Sequence, residues 1–349
     1  MHDLEGGTLI RRNVVFGALI ALVLAFGASF AAASANRSAK ATLNGAGSTF
    51  VVPLVSKWQG AYKQATINYS GIGSGGGIAA ITARTVDFGA SDAPLSKDQF
   101  AAAKGVVQIP WGLSATSLPY NVNGGPVGVH LSGSVIADIF MGKIKYWDNK
   151  RIKALNPHKR LPHEKVVPIY RSDASGTSFN FTDYLSHVSP EWASRVGTGT
   201  QVRFPAGVGA KGSSGVSGVL SRTTGGITYV DVEYSILHHF NYAAVKNRAG
   251  RYVFPTLASI RAAASNVSKM RADNGISIVD RGKSQPKAYP VATFTWVIVP
   301  LKTKKANDLK RFISWAIANG QKYGPPLLFA PLPKPVLARD MTTLKKIHS

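Results

Sequence analysis

The sequence has 349 residues and a formal net charge of +24, from 41 Lys+Arg against 17 Asp+Glu; with charged residues at only 17%, the imbalance reflects scarce acids rather than crowded bases. Hydrophobic residues at 45% and aromatics at 9% are ordinary globular values, which excludes a disordered chain and leaves room for two domains of typical size. The absence of cysteine excludes disulfides, thiolate metal sites, a thiol nucleophile and a lipid-modified N-terminal cysteine.

In chain order, Arg11-Arg12 precede the almost wholly apolar run Val14–Phe30, and Ala33-Ser34-Ala35 fits the A-x-A pattern of a signal cleavage site. A signal peptide is expected over 1–35, cleaved near Ala35, leaving an exported chain; an uncleaved anchor is the alternative, because the apolar run nearly reaches spanning length. Leu43 then leads into the turn Gly45-Ala46-Gly47-Ser48-Thr49. Pro53 is tolerated in a first helical turn, and Leu54, Trp58 and Tyr62 recur every four residues, as one helical face requires. Ile67–Ile72 reads as a strand, Gly75–Ala83 as a short helix and Val86–Ala90 as a strand. The order recurs at Val166–Tyr170, a strand, then the polar turn Ser175–Thr177, then a helix with Phe181, Leu185 and Val188 on one side. Ile227–Val230 and Val291–Val299 are later apolar, β-branched runs, and Leu309–Ala318 reads as a C-terminal helix. The alternation predicts an α/β protein, with no internal repeat or linker to mark a domain boundary.

Three turns share one chemistry: Gly47-Ser48-Thr49, Gly73-Ser74-Gly75-Gly76 and Ser175-Gly176-Thr177 each combine glycine with a hydroxyl directly before a predicted helix. Free N–H groups at a helix start form an anion site with the helix dipole, hydroxyls add donors, and glycine lets the backbone approach closely. One such turn is an ordinary N-cap; three in one chain point to an anion. Arg171 ends a strand four residues before Ser175 and can pair its guanidinium with an oxyanion, with Asp173 placed to hold it. Asp92 follows a strand that reads as buried, as an acceptor or a turn former.

Other chemistries fit poorly. Gly71-Ile72-Gly73-Ser74-Gly75-Gly76 satisfies G-x-G-x-x-G, yet it follows the second predicted strand, and glycine makes up 35 of 349 residues, so chance matches come easily. No G-x-S-x-G elbow occurs, and Gly282-Lys283-Ser284 has Ser277 where a P-loop needs glycine. His158 and His163 have a spacing used by zinc sites but lie in a Pro- and Lys-rich segment without cysteines. Basic residues never run beyond two, so no nucleic-acid stripe is present. No enzyme is indicated, and no cofactor or metal is expected.

The motifs Leu43-Asn44-Gly45-Ala46-Gly47-Ser48-Thr49-Phe50, Tyr69–Gly77, Thr85–Pro94, Gly142-Lys143-Ile144 with Trp147-Asp148, Arg171–Phe179 and Val196–Gly199, in this order, strongly resemble the periplasmic phosphate-binding proteins of phosphate ABC transporters. The resemblance is dense over about 42–235 and returns at Pro290–Val299 and Leu309–Ala318. It implies a two-lobed, hinged α/β fold of the type II periplasmic-binding class with a central ligand cleft. Lobe one would combine 36–114 with 292–349, and lobe two would be 115–291. Thr49 and Phe50 would offer backbone N–H groups, Thr49 and Ser74 hydroxyls, Asp92 an acceptor, and Arg171, Ser175, Gly176 and Thr177 further donors, with Asp173 restraining Arg171. Gly75 stands where many relatives have serine, and Ala174 where glycine is common.

The function implied is capture of inorganic phosphate in the periplasm by a monomeric binding component, which delivers it to inner-membrane permease subunits and their ATPase. Sulfate or molybdate binding, or a secreted phosphatase on the same fold, are the alternatives. Asp92 weighs against the other anions: a dehydrated anion beside a carboxylate is repelled unless it has a proton to donate, and phosphate keeps protons that sulfate lacks. The basic charge is then a field that concentrates anions, or an adaptation to an acidic exterior.

Overall fold

The computed structural model describes residues 40–267 and 270–349, so the signal segment expected over 1–35 lies outside the described residues. Among the described residues no helix is long and apolar enough to cross a membrane. The chain begins with β1 (Ala41–Gly47), α1 (Val52–Ala61), β2 (Ala65–Gly71), α2 (Ser74–Thr82), β3 (Phe88–Ser91) and α3 (Lys97–Ala103). Next come β4 (Val106–Ser117), β5 (Pro119–Asn121), β6 (His130–Leu131), α4 (Gly133–Phe140), α5 (Lys150–Leu155) and β7 (Val167–Arg171). They are followed by α6 (Gly176–Val188), α7 (Pro190–Arg195), β8 (Val208–Ala210), α8 (Gly212–Arg222), β9 (Gly226–Thr228), β10 (Val230–Asp231) and α9 (Val232–Leu237). β11 (Asn241–Tyr242), β12 (Ala244–Lys246), β13 (Tyr252–Val253), α10 (Leu257–Ala264), β14 (Ala292–Pro300), α11 (Ala306–Ala318) and α12 (Lys334–Leu344) complete it.

A six-stranded sheet has the order β10-β4-β14-β3-β1-β2, and a five-stranded sheet the order β11-β5-β9-β7-β8. A smaller sheet joins β13, β12 and β6. β14 runs antiparallel between β3 and β4, and all nine of its residues are buried. A strand covered on both faces needs a largely apolar run, and in Val291–Val299 only Thr293 and Thr295 are polar, their buried hydroxyls bonded to Asn180 and to the Ser91 carbonyl. In the first sheet, β1 and β3 are parallel, with Gly47 opposite Ala90, so the turns after both strands open at the same edge. In the second sheet, β7 lies parallel to β8 and β9 and ends at Arg171. Ligand crevices of open α/β sheets form at such carboxyl ends, because there the loops and helix N-termini converge.

Each sheet has its own aromatic core. Trp58 lies edge-on to Trp111 at 5.2 Å, and Phe88 and Phe312 complete that group. Phe140, Phe181, Phe204 and Tyr229 form the other, with Phe181 and Tyr229 stacked at 4.2 Å. The four-residue periodicity of Leu54 and Trp58 is thus a buried face of α1, and Tyr62 caps its C-terminus.

One expected strand is divided. Thr228 pairs with Ile169 in the second sheet, whereas Val230 pairs with Ser117 in the first. Between them Tyr229 turns its ring into the second aromatic core, and its hydroxyl accepts from the Arg171 amide at 3.1 Å. An apolar β-branched run reads the same whether it serves one sheet or two, so the step is invisible in sequence.

A very tight backbone approach lies beside the turn after β1. Gly47 has φ +145°, and a Cβ there would stand 2.1 Å from the carbonyl oxygen of Ala90. Gly47→Ala is expected to lower the unfolding free energy by about 3 kcal/mol, from strain and forced displacement of β3. Urea denaturation with an unchanged m-value and an unchanged midpoint would contradict this.

Candidate functional site

Asp92 follows β3 and is 1% exposed. Ser48, in the turn after β1, donates its hydroxyl to both carboxylate oxygens at 2.6 Å, and Ser74 Oγ lies 3.3 Å from Oδ2. Asn180, one turn into α6, donates to the Asp92 carbonyl at 3.0 Å and so ties the two sheets together at this point. Burial, then the charge of Asp231, pushes Asp92 up to about 7, against the opposing pull of Ser48, Thr295 and Arg171.

Arg171 faces this acid from the end of β7. Its Nε and Nη2 donate to the two oxygens of Asp173 at 2.7 and 2.6 Å, a bidentate pair that fixes the guanidinium plane. The third nitrogen, Nη1, reaches Ser213 Oγ at 3.3 Å. Against the penalty of burial, the hydrogen bonds and charge of Asp173 keep Arg171 firmly cationic. Arg171 in turn holds Asp173 below the usual carboxylate range despite its partial burial.

Helix starts supply the other donors. Ser175 caps α6, its Oγ accepting from the Ser178 amide at 3.3 Å. Gly176 and Thr177 occupy the first turn, where an amide has no carbonyl partner within its own helix. A Cβ on Gly176 would sit 2.7 Å from Asp92 Cβ and from Ser74 Oγ, so only glycine lets this helix start come so close. Ser74 opens α2 behind Gly73, which has φ +86°.

Ser74, Asp92, Arg171, Asp173, Ser175, Gly176 and Thr177 therefore converge at the edge where both sheets end. The Thr49 hydroxyl is there too, but lies 2.8 Å from Ser213 Oγ, and that of Thr177 donates to Asp231 at 2.7 Å. The Phe50 amide is directed to Ser48 Oγ at 3.0 Å, while its ring packs edge-on to Phe329. Gly75 and Ala174 meet each other: a Cβ at Gly75 would stand 2.4 Å from the Cβ of Ala174. The Ala174 methyl fills the space beside Gly75, and the Gly75 amide donates to the Ala174 carbonyl at 2.9 Å.

Ser48, part of the first glycine–hydroxyl turn but not expected as a partner of Asp92, joins this network, as do Asn180, Ser213 and Asp231, which no motif had singled out. Ser213 follows Gly212 and opens α8, a fourth glycine–hydroxyl turn before a helix, so the same pattern marks it. Asp231 is an acid inside an apolar run, which is a recognisable sign of a partnered buried carboxyl. Its Oδ2 accepts from Ser213 at 2.5 Å, and burial pushes it up in spite of Ser213, Arg171 and Thr177. Among the described residues no group of three or more His, Asp and Glu is arranged to hold a metal ion.

Burial raises Asp92, Asp231 and Glu233 above their unfolded values, so their stabilising contribution is complete below about pH 4 and is lost as pH rises through about 7 for Asp92. The thermal midpoint of the ligand-free protein is expected to fall over that window, with a shallower fall in Asp92→Asn. Scanning calorimetry that gives parallel curves for the two proteins would refute the assignment to Asp92.

The chain matches the PBP superfamily domain over residues 32–319. It is 40% identical over 307 residues to the phosphate-binding protein PstS of Xylella fastidiosa (strain Temecula1), a match covering 86% of this chain and 84% of that one. The phosphate-binding protein PstS of Methanocaldococcus jannaschii is 35% identical over 305 residues, covering 79% of this chain and 78% of the relative. Among solved structures, a high affinity periplasmic phosphate-binding protein (PfluDING) bound with phosphate superposes with a TM-score of 0.69 at 23% identity, over 86% of this chain and 92% of that one. A phosphate-binding protein from Stenotrophomonas maltophilia gives 0.67 at 20% identity, over 86% and 93%.

Proposed function

The chain belongs to the PstS phosphate-binding proteins of the PBP superfamily, and from that membership we propose that it captures inorganic phosphate in the periplasm and hands it to the permease subunits and ATPase of an ABC transporter. It acts as a monomeric binding component rather than an enzyme, after removal of a signal peptide. One lobe is built on the six-stranded sheet and the other on the five-stranded sheet. Of the lobe boundaries expected at 114/115 and 291/292, the second falls at the start of β14 (Ala292) and the first inside β4, which runs on to Ser117, while β10 (Val230–Asp231), from within 115–291, joins the six-stranded sheet through β4. Phosphate sits between them, held by Ser74, Arg171, Ser175 and the first-turn amides of α6, and the lobes close over it.

The observation that carries this reading is the buried carboxylate of Asp92 opposite the buried guanidinium of Arg171, with two helix starts between them. The cation and the amides attract any oxyanion. The carboxylate admits only one that can place a proton between the two oxygens. Phosphate has that proton near neutral pH and sulfate does not, so the repulsion supplies the specificity. Asp173 makes the geometry rigid: with two guanidinium nitrogens engaged, Nη1 is held in a fixed direction.

Calorimetric titration with phosphate and then sulfate tests this directly; failure to bind phosphate more tightly than sulfate would refute it. In Asp92→Asn the amide replaces the repulsion by a possible donor, so sulfate exclusion is expected to relax more than phosphate affinity drops. Arg171→Ala is expected to weaken phosphate binding by about 100-fold or more, because it leaves a buried anion without its charge partner. Near-normal affinity in that variant would remove Arg171 from the site.

A further inference from the structure

Asp231 is fully buried, and each of its oxygens meets a hydroxyl: Thr177 Oγ1 at 2.7 Å on Oδ1 and Ser213 Oγ at 2.5 Å on Oδ2. A hydroxyl has one proton to give, and an ionised carboxylate can only accept. With Asp231 ionised, both Thr177 and Ser213 must donate to it. Ser213 has then spent its proton, so Thr49 Oγ1, 2.8 Å away, must be the donor in that contact. Arg171 Nη1 donates to Ser213 Oγ and the Ser213 amide donates to Thr49 Oγ1, both at 3.3 Å, which agrees with that direction. Thr49 and Thr177, two hydroxyls of the proposed phosphate site, are thus committed to protein partners.

A proton on Asp231 reverses one branch. Its new O–H must donate either to Thr177 or to Ser213. In the first case the Thr177 proton is released; in the second the Ser213 proton turns to Thr49, and the Thr49 proton is released. Either way one additional hydroxyl becomes free to donate to an anion. Resting on the phosphate-binding reading above, we infer that Asp231 is a proton-controlled positioning residue, whose ionisation state decides whether a hydroxyl of Thr177 or Thr49 donates to the bound phosphate or to the protein.

The surroundings favour the proton. β10 packs on β4, α8 and α9. β4 carries no charged side chain, α8 carries only Arg222 at its exposed end, and α9 contributes Glu233 and Tyr234. Glu233 is completely buried, and neither of its carboxylate oxygens has a hydrogen-bond partner among the described residues. Asp92 acts on the same acids from the end of β3. The facing cation, Arg171, has its charge shared with Asp173. Burial lifts both Asp231 and Glu233 above the ordinary carboxylate range. An arriving anion adds negative charge to this group and draws the proton on, so phosphate capture takes up a proton at Asp231.

The test is calorimetric titration of the full chain with inorganic phosphate at about pH 5 and about pH 8, in buffers of different ionisation enthalpy, for wild type and Asp231→Asn. Asparagine presents an NH2 donor on one side and a carbonyl acceptor on the other at every pH, so like the protonated acid it is neutral and always donates. The variant is expected to take up fewer protons on binding, by at most about one, and to lose part of the wild-type pH dependence, which for one linked proton is limited to about tenfold per pH unit. The titration of phosphate itself is common to both proteins and cancels in the comparison. An Asp231→Asn protein with the wild-type proton count and slope overturns the inference. If that variant does not fold, Thr177→Val and Thr49→Val decide: a greater loss of affinity at the lower pH in either one supports the inference, and an equal loss at both pH values in both variants overturns it. Wild-type protein that binds no phosphate at either pH overturns the phosphate reading itself, and the inference with it.

Discussion

A carboxylate buried next to helix N-termini and a guanidinium is the constraint around which the rest of this protein is arranged. Isolated, Asp92 could not remain charged in a dry site; Ser48 donating to both of its oxygens and Arg171 across the way make it tolerable. Those partners come from the ends of β1 and β7, in different sheets. The two sheets must therefore present their carboxyl edges to one another, and Asn180 on Asp92, together with Thr49 on Ser213, holds them there. The glycines at this edge are explained by the same demand, since Gly176 brings a helix start against Asp92 where any side chain would collide.

The acids around the site behave as one group. Asp92, Asp231 and Glu233 are each raised by burial, Asp92 and Glu233 also by the charge of Asp231, and Arg171, itself paired with Asp173, is the cation that acts on Asp92 and Asp231. Such a group stores its stabilising effect on the acidic side of neutrality. The scarcity of surface acids points the same way, because fewer exposed carboxylates leave less to be disrupted by titration at low pH. The net charge of +24 describes the surroundings of the site, and the proposed selection among anions falls to Asp92, where a repulsion would act at contact range and unscreened by solvent.

Gly75 and Ala174 set how near α2 comes to the turn before α6. A Cβ at Gly75 would stand 2.4 Å from the Ala174 Cβ, so the methyl at 174 is accommodated only because 75 has no side chain, and the Gly75 amide is bonded to the Ala174 carbonyl.

Most elements were legible because their signals are local: the four-residue spacing of Leu54 and Trp58, the largely apolar, β-branched run of β14, and the glycine–hydroxyl turns before α2 and α6 all depend on neighbours in the chain. By itself the sequence determined the α/β class and, through ordered motifs, the family. What it could not determine was which hydroxyl faces which acid. Ser48 rather than Thr49 meets Asp92, Ser213 bridges Thr49 and Asp231, and the run through Tyr229 serves two sheets instead of one. These assignments join residues far apart in the chain. A hydroxyl with one proton to give takes its direction from whichever buried partner the tertiary structure sets beside it.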